Sequence, residues 1–271
     1  MNGKDYLICL LVFLGGYSLN LLYITVFYHR ALTHGGLVLK PAVRSLVAKT
    51  GNWVTGLDPK AWTCMHRIHH AEADSADDPH SPSNVGIIGV AMEQLRSYER
   101  ILVQLARHEP EVMAVVPDLD FEVSWLNRKK VWYLPYLLHV AIGVTLSLTT
   151  GIWLLGVAYF VGMMSHPVQG WLVNSFGHAV GSRNFDTPDN SRNNHVVAWL
   201  VWGEGLQNNH HAYPGSPRFS YRWWEADFGY VVCRALESLG VLRVRREKLL
   251  PRPSGAPAPK RVAEPVAGPA D

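Results

Sequence analysis

Residues 6–28 contain no charged side chain, and the run ends abruptly on His29 and Arg30. A stretch of this length matches the roughly 20 apolar residues that cross a bilayer as a helix. In lipid such a segment has to satisfy its own backbone N–H and C=O groups, so a helix is its only structure. It is long for the apolar part of a signal peptide and no small-x-small cleavage pattern precedes the His-Arg pair, so it reads as a retained span. A second apolar stretch, residues 131–174, is interrupted by Thr149, Thr150 and Gly151 and reads as a hairpin of two spans, 131–150 and 152–174. His166 and Gln169 fall inside the last span, where polar side chains face the protein interior.

Composition agrees with a membrane class: 48% of residues are hydrophobic, with 10 Trp and 11 Tyr. Mean hydropathy near zero nevertheless requires a sizeable polar part outside the bilayer. Residues 36–57, with Lys40, Arg44 and Lys49, suit an interfacial or re-entrant helix, and residues 87–107 show the spacing of an amphipathic helix. Arg30, Lys60, Arg67, Arg128, Lys129 and Lys130 flank the spans on the histidine-bearing side, which the positive-inside rule makes cytoplasmic. Three cysteines without a CxxC pair exclude a disulfide framework and a zinc ribbon. The basic residues from Arg243 to Lys248 suit anionic lipid better than nucleic acid. The expected fold is therefore all-α, an integral membrane domain over residues 1–250 with a helical cytoplasmic cap, followed by a disordered Pro/Ala-rich tail at 251–271.

The chemistry concentrates in histidine clusters. His29 and His34 stand where the first span ends. His66, His69 and His70 have the i, i+3, i+4 spacing of one side of a helix, and Gln207, His210 and His211 repeat it with Gln in first place. Asn174 and His178 lie one turn apart at the end of the last span. Imidazole suits zinc, copper, iron and nickel alike. Eight histidines on one polar cap exceed a tetrahedral zinc site and imply two metal ions. Asp74, Asp77, Asp78 and Glu204 are expected to orient imidazoles, Cys64 to pack beside Trp62, and His108, His139 and His195 to be surface or capping residues.

The motifs HRALTH (29–34), HRIHH (66–70) with DPHSP (78–82), NSFGH (174–178) and EGLQNNHHAYPGSPRFSYRWWE (204–225) resemble the membrane fatty acid desaturase family, closest to bacterial acyl-CoA desaturase-like members, over about residues 6–246. The resemblance implies two non-haem iron ions held by His29, His34, His66, His69, His70, His178, His210 and His211, with Asn174 holding a metal-bound water. Gln207 departs from the histidine usual at its place, so that iron takes a weaker ligand, a water or the Gln carbonyl. It further implies O2-dependent insertion of a cis double bond into a long-chain acyl substrate carried by CoA, acyl carrier protein or phospholipid.

Electrons have to come from a separate ferredoxin or cytochrome-type donor, because the chain has no ferredoxin, haem-attachment or Rossmann motif. His166, Gln169 and Trp171 are expected along the substrate route, with Trp132, Trp153 and Phe160 as further candidates for its wall. An acyl or alkyl hydroxylase is the rival within the same chemistry. A membrane metal-transport protein is the rival from another class, but only His139 and His166 lie at bilayer depth. The expected location is a bacterial inner membrane.

Overall fold

A computed structural model describes residues 1–251 and Pro253, so the expected disordered tail lies almost wholly outside the described residues. Helix α1 (Gly3–Leu21) begins on a capping box: the Asn2 side chain accepts from the N–H groups of Lys4 and Asp5, and the Asp5 carboxylate accepts from the Asn2 N–H. It continues unbroken into a π-helical segment, Leu22–Thr33. Together they form the one helix among the described residues that is long and apolar enough to cross a membrane.

Strand β1 (Leu37–Leu39) and helices α2 (Pro41–Thr55), α3 (Pro59–Glu72) and α4 (Pro82–Ala106) follow. After the short α5 (Pro110–Val115) and α6 (Trp125–Arg128) come two shorter apolar helices, α7 (Leu134–Thr150) and α8 (Trp153–Met163). The chain then builds α9 (His166–Trp171), a second π-helical segment (Leu172–Phe176), α10 (Gly177–Ala179), α11 (His195–Leu200), α12 (Gln207–Ala212), α13 (Phe228–Ser238) and β2 (Leu242–Val244). The molecule is mostly helical, as expected. The one sheet among the described residues pairs β1 with β2 antiparallel, Leu37 opposite Val244, and ties the segment after α13 to the segment after the first histidine pair.

Three expectations need correction. The span expected at 152–174 is not one helix: it breaks between Met163 and His166. Pro167 is the cause, since it has no N–H to offer the carbonyl of Met163 four residues earlier. Asn20, wholly buried in α1, donates from Nδ2 to that carbonyl at 2.7 Å. A neighbouring helix thus satisfies the group that the proline frees. Close approach of α1 and α8 is possible because Gly16 faces the Gly162–Met163 backbone, where a Cβ would lie 3.0 Å from the Met163 nitrogen.

The second correction concerns the basic flank. Arg30 and Lys60, two of the charges counted there, are 1% and 3% exposed and serve internal bonds. Lys60 donates from Nζ to the Phe121 carbonyl at 3.0 Å. The third is His139, which is a buried link and no surface residue: its ring bonds the Tyr159 hydroxyl at 2.7 Å and the Trp53 carbonyl at 2.9 Å.

Helix α3 is fixed at its start by Asp58. One carboxylate oxygen caps the N–H groups of Lys60 and Ala61, while the other accepts from Ser124 and Asn127. Helix α4 kinks at Gly86, whose φ of 72° places it in the left-handed region that glycine tolerates. Just beyond the kink, the Ile87 carbonyl accepts from Trp171 Nε1 at 2.8 Å and Ser175 Oγ at 3.0 Å, which clamps α4 to the broken helix.

Candidate metal centre

Local helix geometry sorts the histidines. In an α-helix, residues five apart point about 140° away from each other. His29 lies on the π-helical segment and His34 caps its end: the His34 N–H reaches the His29 carbonyl, and the wider turn returns residue i+5 to the same side. On α3, His66 and His70 lie roughly 40° apart, whereas His69 is roughly 100° from His70. His210 and His211 on α12 are likewise neighbours separated by roughly 100°. Each of these two helices therefore sends one adjacent imidazole to each of two places.

The first place gathers His29, His34, His66, His70 and His210. Four Nε2 atoms form a closed ring: His29 to His66 is 2.9 Å, His66 to His70 is 3.1 Å, His70 to His210 is 2.9 Å and His210 to His29 is 2.9 Å. Lone pairs at such distances repel unless a proton or a cation lies among them. An ion bound at about 2.1 Å would put neighbouring imidazole nitrogens about 3 Å apart, so the ring fits a metal. The Nε2 of His34 is buried without a partner beside this ring. Burial, and then the neighbouring histidines, hold His34, His66, His70 and His210 well below the ordinary imidazole pKa. They are neutral near pH 7, the form that donates a lone pair.

The second place gathers His69, His178 and His211. Each has its Nδ1 on a carboxylate: Asp78 at 2.9 Å, Asp74 at 2.9 Å and Asp189 at 2.7 Å. An ionised carboxylate only accepts, so each Nδ1 carries the proton and each Nε2 keeps its lone pair. The Nε2 atoms of His178 and His211 are buried with no protein partner. Burial alone would raise these carboxyls, but the hydrogen bonds they accept from histidine prevail: Asp74 sits at about 2, and Asp78 and Asp189 lie well below the carboxylate range.

Glu204 does the same for the first place, 2.5 Å from His29 Nδ1, and its other oxygen pairs with Arg30. Arg30 also reaches Asp227 at 3.0 Å and the carbonyls of Pro217 and Thr25, with its guanidinium 3.9 Å above the Phe219 ring. This buried hub joins the end of the first helix to the segment around α12.

Of the carboxylates expected to orient imidazoles, Asp74, Asp78 and Glu204 do so. Asp77 is exposed, and its N–H donates to Ser75. Cys64 is buried, its thiol near the Val112 carbonyl and pushed up to about 12 by burial, so it is no thiolate ligand. Two residues near the site were not singled out beforehand. Asp189 lacks any motif that would mark it, and His80 was visible only as part of DPHSP.

A cavity of about 80 Å³ opens beside the first place, where His29 and His66 line it. Ile24, Leu57, Trp62, Met65, Leu95 and Val173 give it apolar walls, and His29, His66, His80 and Gln207 line its metal-facing end. His166, Gln169 and Asn174 also line it. Asn174 lies outside both histidine groups and donates to Gln94 Oε1 at 3.4 Å. Gln207 turns its Nε2 to the Glu204 carbonyl at 2.9 Å. Trp171 is not on this wall, its indole being engaged with Ile87. Trp132 and Trp153 are 58% and 66% exposed and face outward.

The fatty acid desaturase family model matches residues 5–230. Among similar proteins, a hex-5-enoyl-[acyl-carrier protein] acetylenase of Moorena producens (strain JHB) is 30% identical over 246 residues, covering 84% of this chain and 74% of that protein. An icosanoyl-CoA 5-desaturase of Limnanthes douglasii is 32% identical over 235 residues, 83% of this chain and 61% of that protein. An sn-1 stearoyl-lipid 9-desaturase of Anabaena variabilis is 31% identical over 222 residues, 80% of this chain and 76% of that protein. With the family model spanning most of its length and its histidine motifs gathered into two adjoining donor sets, this chain belongs to the fatty acid desaturase family of enzymes.

Proposed function

We propose that the protein is an O2-dependent desaturase that introduces a cis double bond into a long-chain fatty acyl substrate. The observation that carries this reading is the pair of adjoining histidine donor sets shared between α3 and α12, the first of which lines a cavity with apolar walls at Ile24, Leu57, Met65, Leu95 and Val173. Two non-haem iron ions held there, with O2 and electrons from an external ferredoxin or cytochrome-type donor, would supply the oxidising power that an unactivated C–H bond demands. His29, His34, His66, His70 and His210 would hold one ion, and His69, His178 and His211 the other.

The rest is the work of this chain's own side chains. Asp74, Asp78, Asp189 and Glu204 lock four imidazole tautomers. The apolar walls exclude water and position the methylenes by contact alone, since a hydrocarbon offers nothing to hydrogen-bond. The carrier is CoA, acyl carrier protein or a membrane lipid, and each of these occurs in the name of a relative.

The 31-residue apolar helix and the shorter helices α7 and α8 support an integral membrane location, with the metal centre on the cytoplasmic face of a bacterial inner membrane. Expression in a host lacking the activity, followed by mass spectrometry of total acyl chains, tests the function. The expected product has lost two hydrogens and is absent with His69→Ala. A product that has gained one oxygen would make the enzyme a hydroxylase, and unchanged profiles from iron-loaded protein would refute acyl oxidation.

A further inference from the structure

The two donor sets are unequal. Five imidazoles meet at the first place and three at the second. Gln207, whose position at the start of α12 matches that of His66 on α3, turns its amide back to the Glu204 carbonyl. An amide oxygen is also a poorer donor than imidazole to a late first-row divalent ion.

His80 is a further buried histidine next to the second place, its ring neighbouring that of His69. It sits on the loop between α3 and α4, is 1% exposed, and has no protein partner on either ring nitrogen. Every other histidine of the second place has its Nδ1 on a carboxylate. A neutral imidazole always carries one N–H and one lone pair, and leaving either unmatched inside a protein costs about 1–3 kcal/mol. The His80 ring lies 4.6 Å from that of His69, the two planes 22° apart. A donor atom from each of His69, Asp78 and His80 falls within 4.8 Å of the other two, a group that shares His69 with the set of His69, His178 and His211. Asp78 fixes both histidines at once, accepting from the His69 ring at 2.9 Å and from the His80 backbone N–H at 3.0 Å. His80 also shares the metal-facing cavity wall with Gln207.

We propose that a ring nitrogen of His80 completes the donor set of the second metal position, in the role that Gln207 does not fill. The second ion is then held by His69, His178, His211 and His80. This inference rests on the two-iron reading above, but not on the reaction catalysed.

The test is iron per chain, measured by elemental mass spectrometry on full-length protein in detergent after dialysis against a chelator. Wild type is expected to retain two irons. His80→Ala and the more conservative His80→Asn should retain one, and Gln207→His alone two. The decisive variant is His80→Ala combined with Gln207→His, which should recover two. An imidazole at position 207 supplies the donor that the His80 variants lack, so a double variant left at one iron would overturn the proposal. Two irons retained in His80→Asn with the chelator resistance of wild type would overturn it as well, as would fewer than two ions in wild type. Two irons in wild type without any oxidised acyl product would instead defeat the proposed reaction and leave the role of His80 standing.

Discussion

Replacing Asp189 by Asn tests whether the carboxylates set the second metal position by fixing tautomers. The Asp189 side chain has two unlike oxygens. Oδ2 accepts from His211 Nδ1 at 2.7 Å, while Oδ1 accepts from the Ser191 backbone N–H at 3.0 Å and from the hydroxyls of Thr187 and Ser191. An asparagine has to put its NH2 on one of these sides. The hydroxyls can rotate and accept from it, but the Ser191 N–H cannot, and orphaning a buried N–H costs about 1–3 kcal/mol. The amide oxygen therefore stays with Ser191 and the NH2 faces His211. His211 answers by giving up its Nδ1 proton, which moves the proton to Nε2, the nitrogen that would bind metal.

Loss of an outer partner alone typically weakens metal binding by about 10- to 100-fold, or about 1.4–2.8 kcal/mol at 1.4 kcal/mol per tenfold. The tautomer change adds to this, so the second ion should weaken by about 100-fold or more. Chelator competition with iron counting reads the two ions separately. The first, held by histidines that Asp189 does not touch, should be released as in wild type, and Asp120→Asn at an exposed site serves as the control. Release of both ions from Asp189→Asn at the wild-type chelator concentration would refute the reasoning.

Other outcomes follow from the same geometry. Arg30→Met strands the buried carboxylates of Glu204 and Asp227, a loss of about 3–5 kcal/mol that should sharply lower yield and the unfolding midpoint in detergent; an unchanged midpoint would refute the hub. Asn20→Leu strips the donor from the Met163 carbonyl at the helix break and should cost about 1–3 kcal/mol without changing iron content, as a thermal melt with metal analysis would show. Metal-stripped protein should lose stability on acidification. His211 holds a folded pKa of about 4, below the ordinary value of about 6.5, so the unfolded chain takes up a proton first. The His211 share of that loss accumulates from pH 6.5 down to about 4, the more strongly depressed histidines extend it to lower pH, and a midpoint flat between pH 6.5 and 4 would contradict it. His166→Ala should change activity or the position of the double bond because the ring lines the cavity; product analysis identical to wild type in both would remove His166 from the substrate route.

Much of the site was legible because its signals are local. The paired spacings on α3 and α12 put histidines on chosen sides of a turn whatever surrounds them, and the apolar run before His29 demanded a helix. The amphipathic helix expected at 87–107 is the part of α4 beyond its kink, capped by Arg107, and clustered imidazoles by themselves point to metal. The same locality explains what could not be read. His29 and His34 share a face only because that stretch is π-helical, a choice made by packing. Arg30 resembles a headgroup anchor in sequence, yet its partners Glu204 and Asp227 lie 174 and 197 residues away. Asp189 becomes the partner of His211 only when the loop after α10 folds back, and Asn20 becomes the remedy for Pro167 only when α1 and α8 pack. Sequence by itself determined the helical class, the donor types and their assignment to short helices, because these depend on residues within a turn or two. Tertiary structure alone decided which imidazoles gather together, which carboxylates lock them and that His80 and Gln207 line one cavity, because these are meetings between segments far apart in the chain.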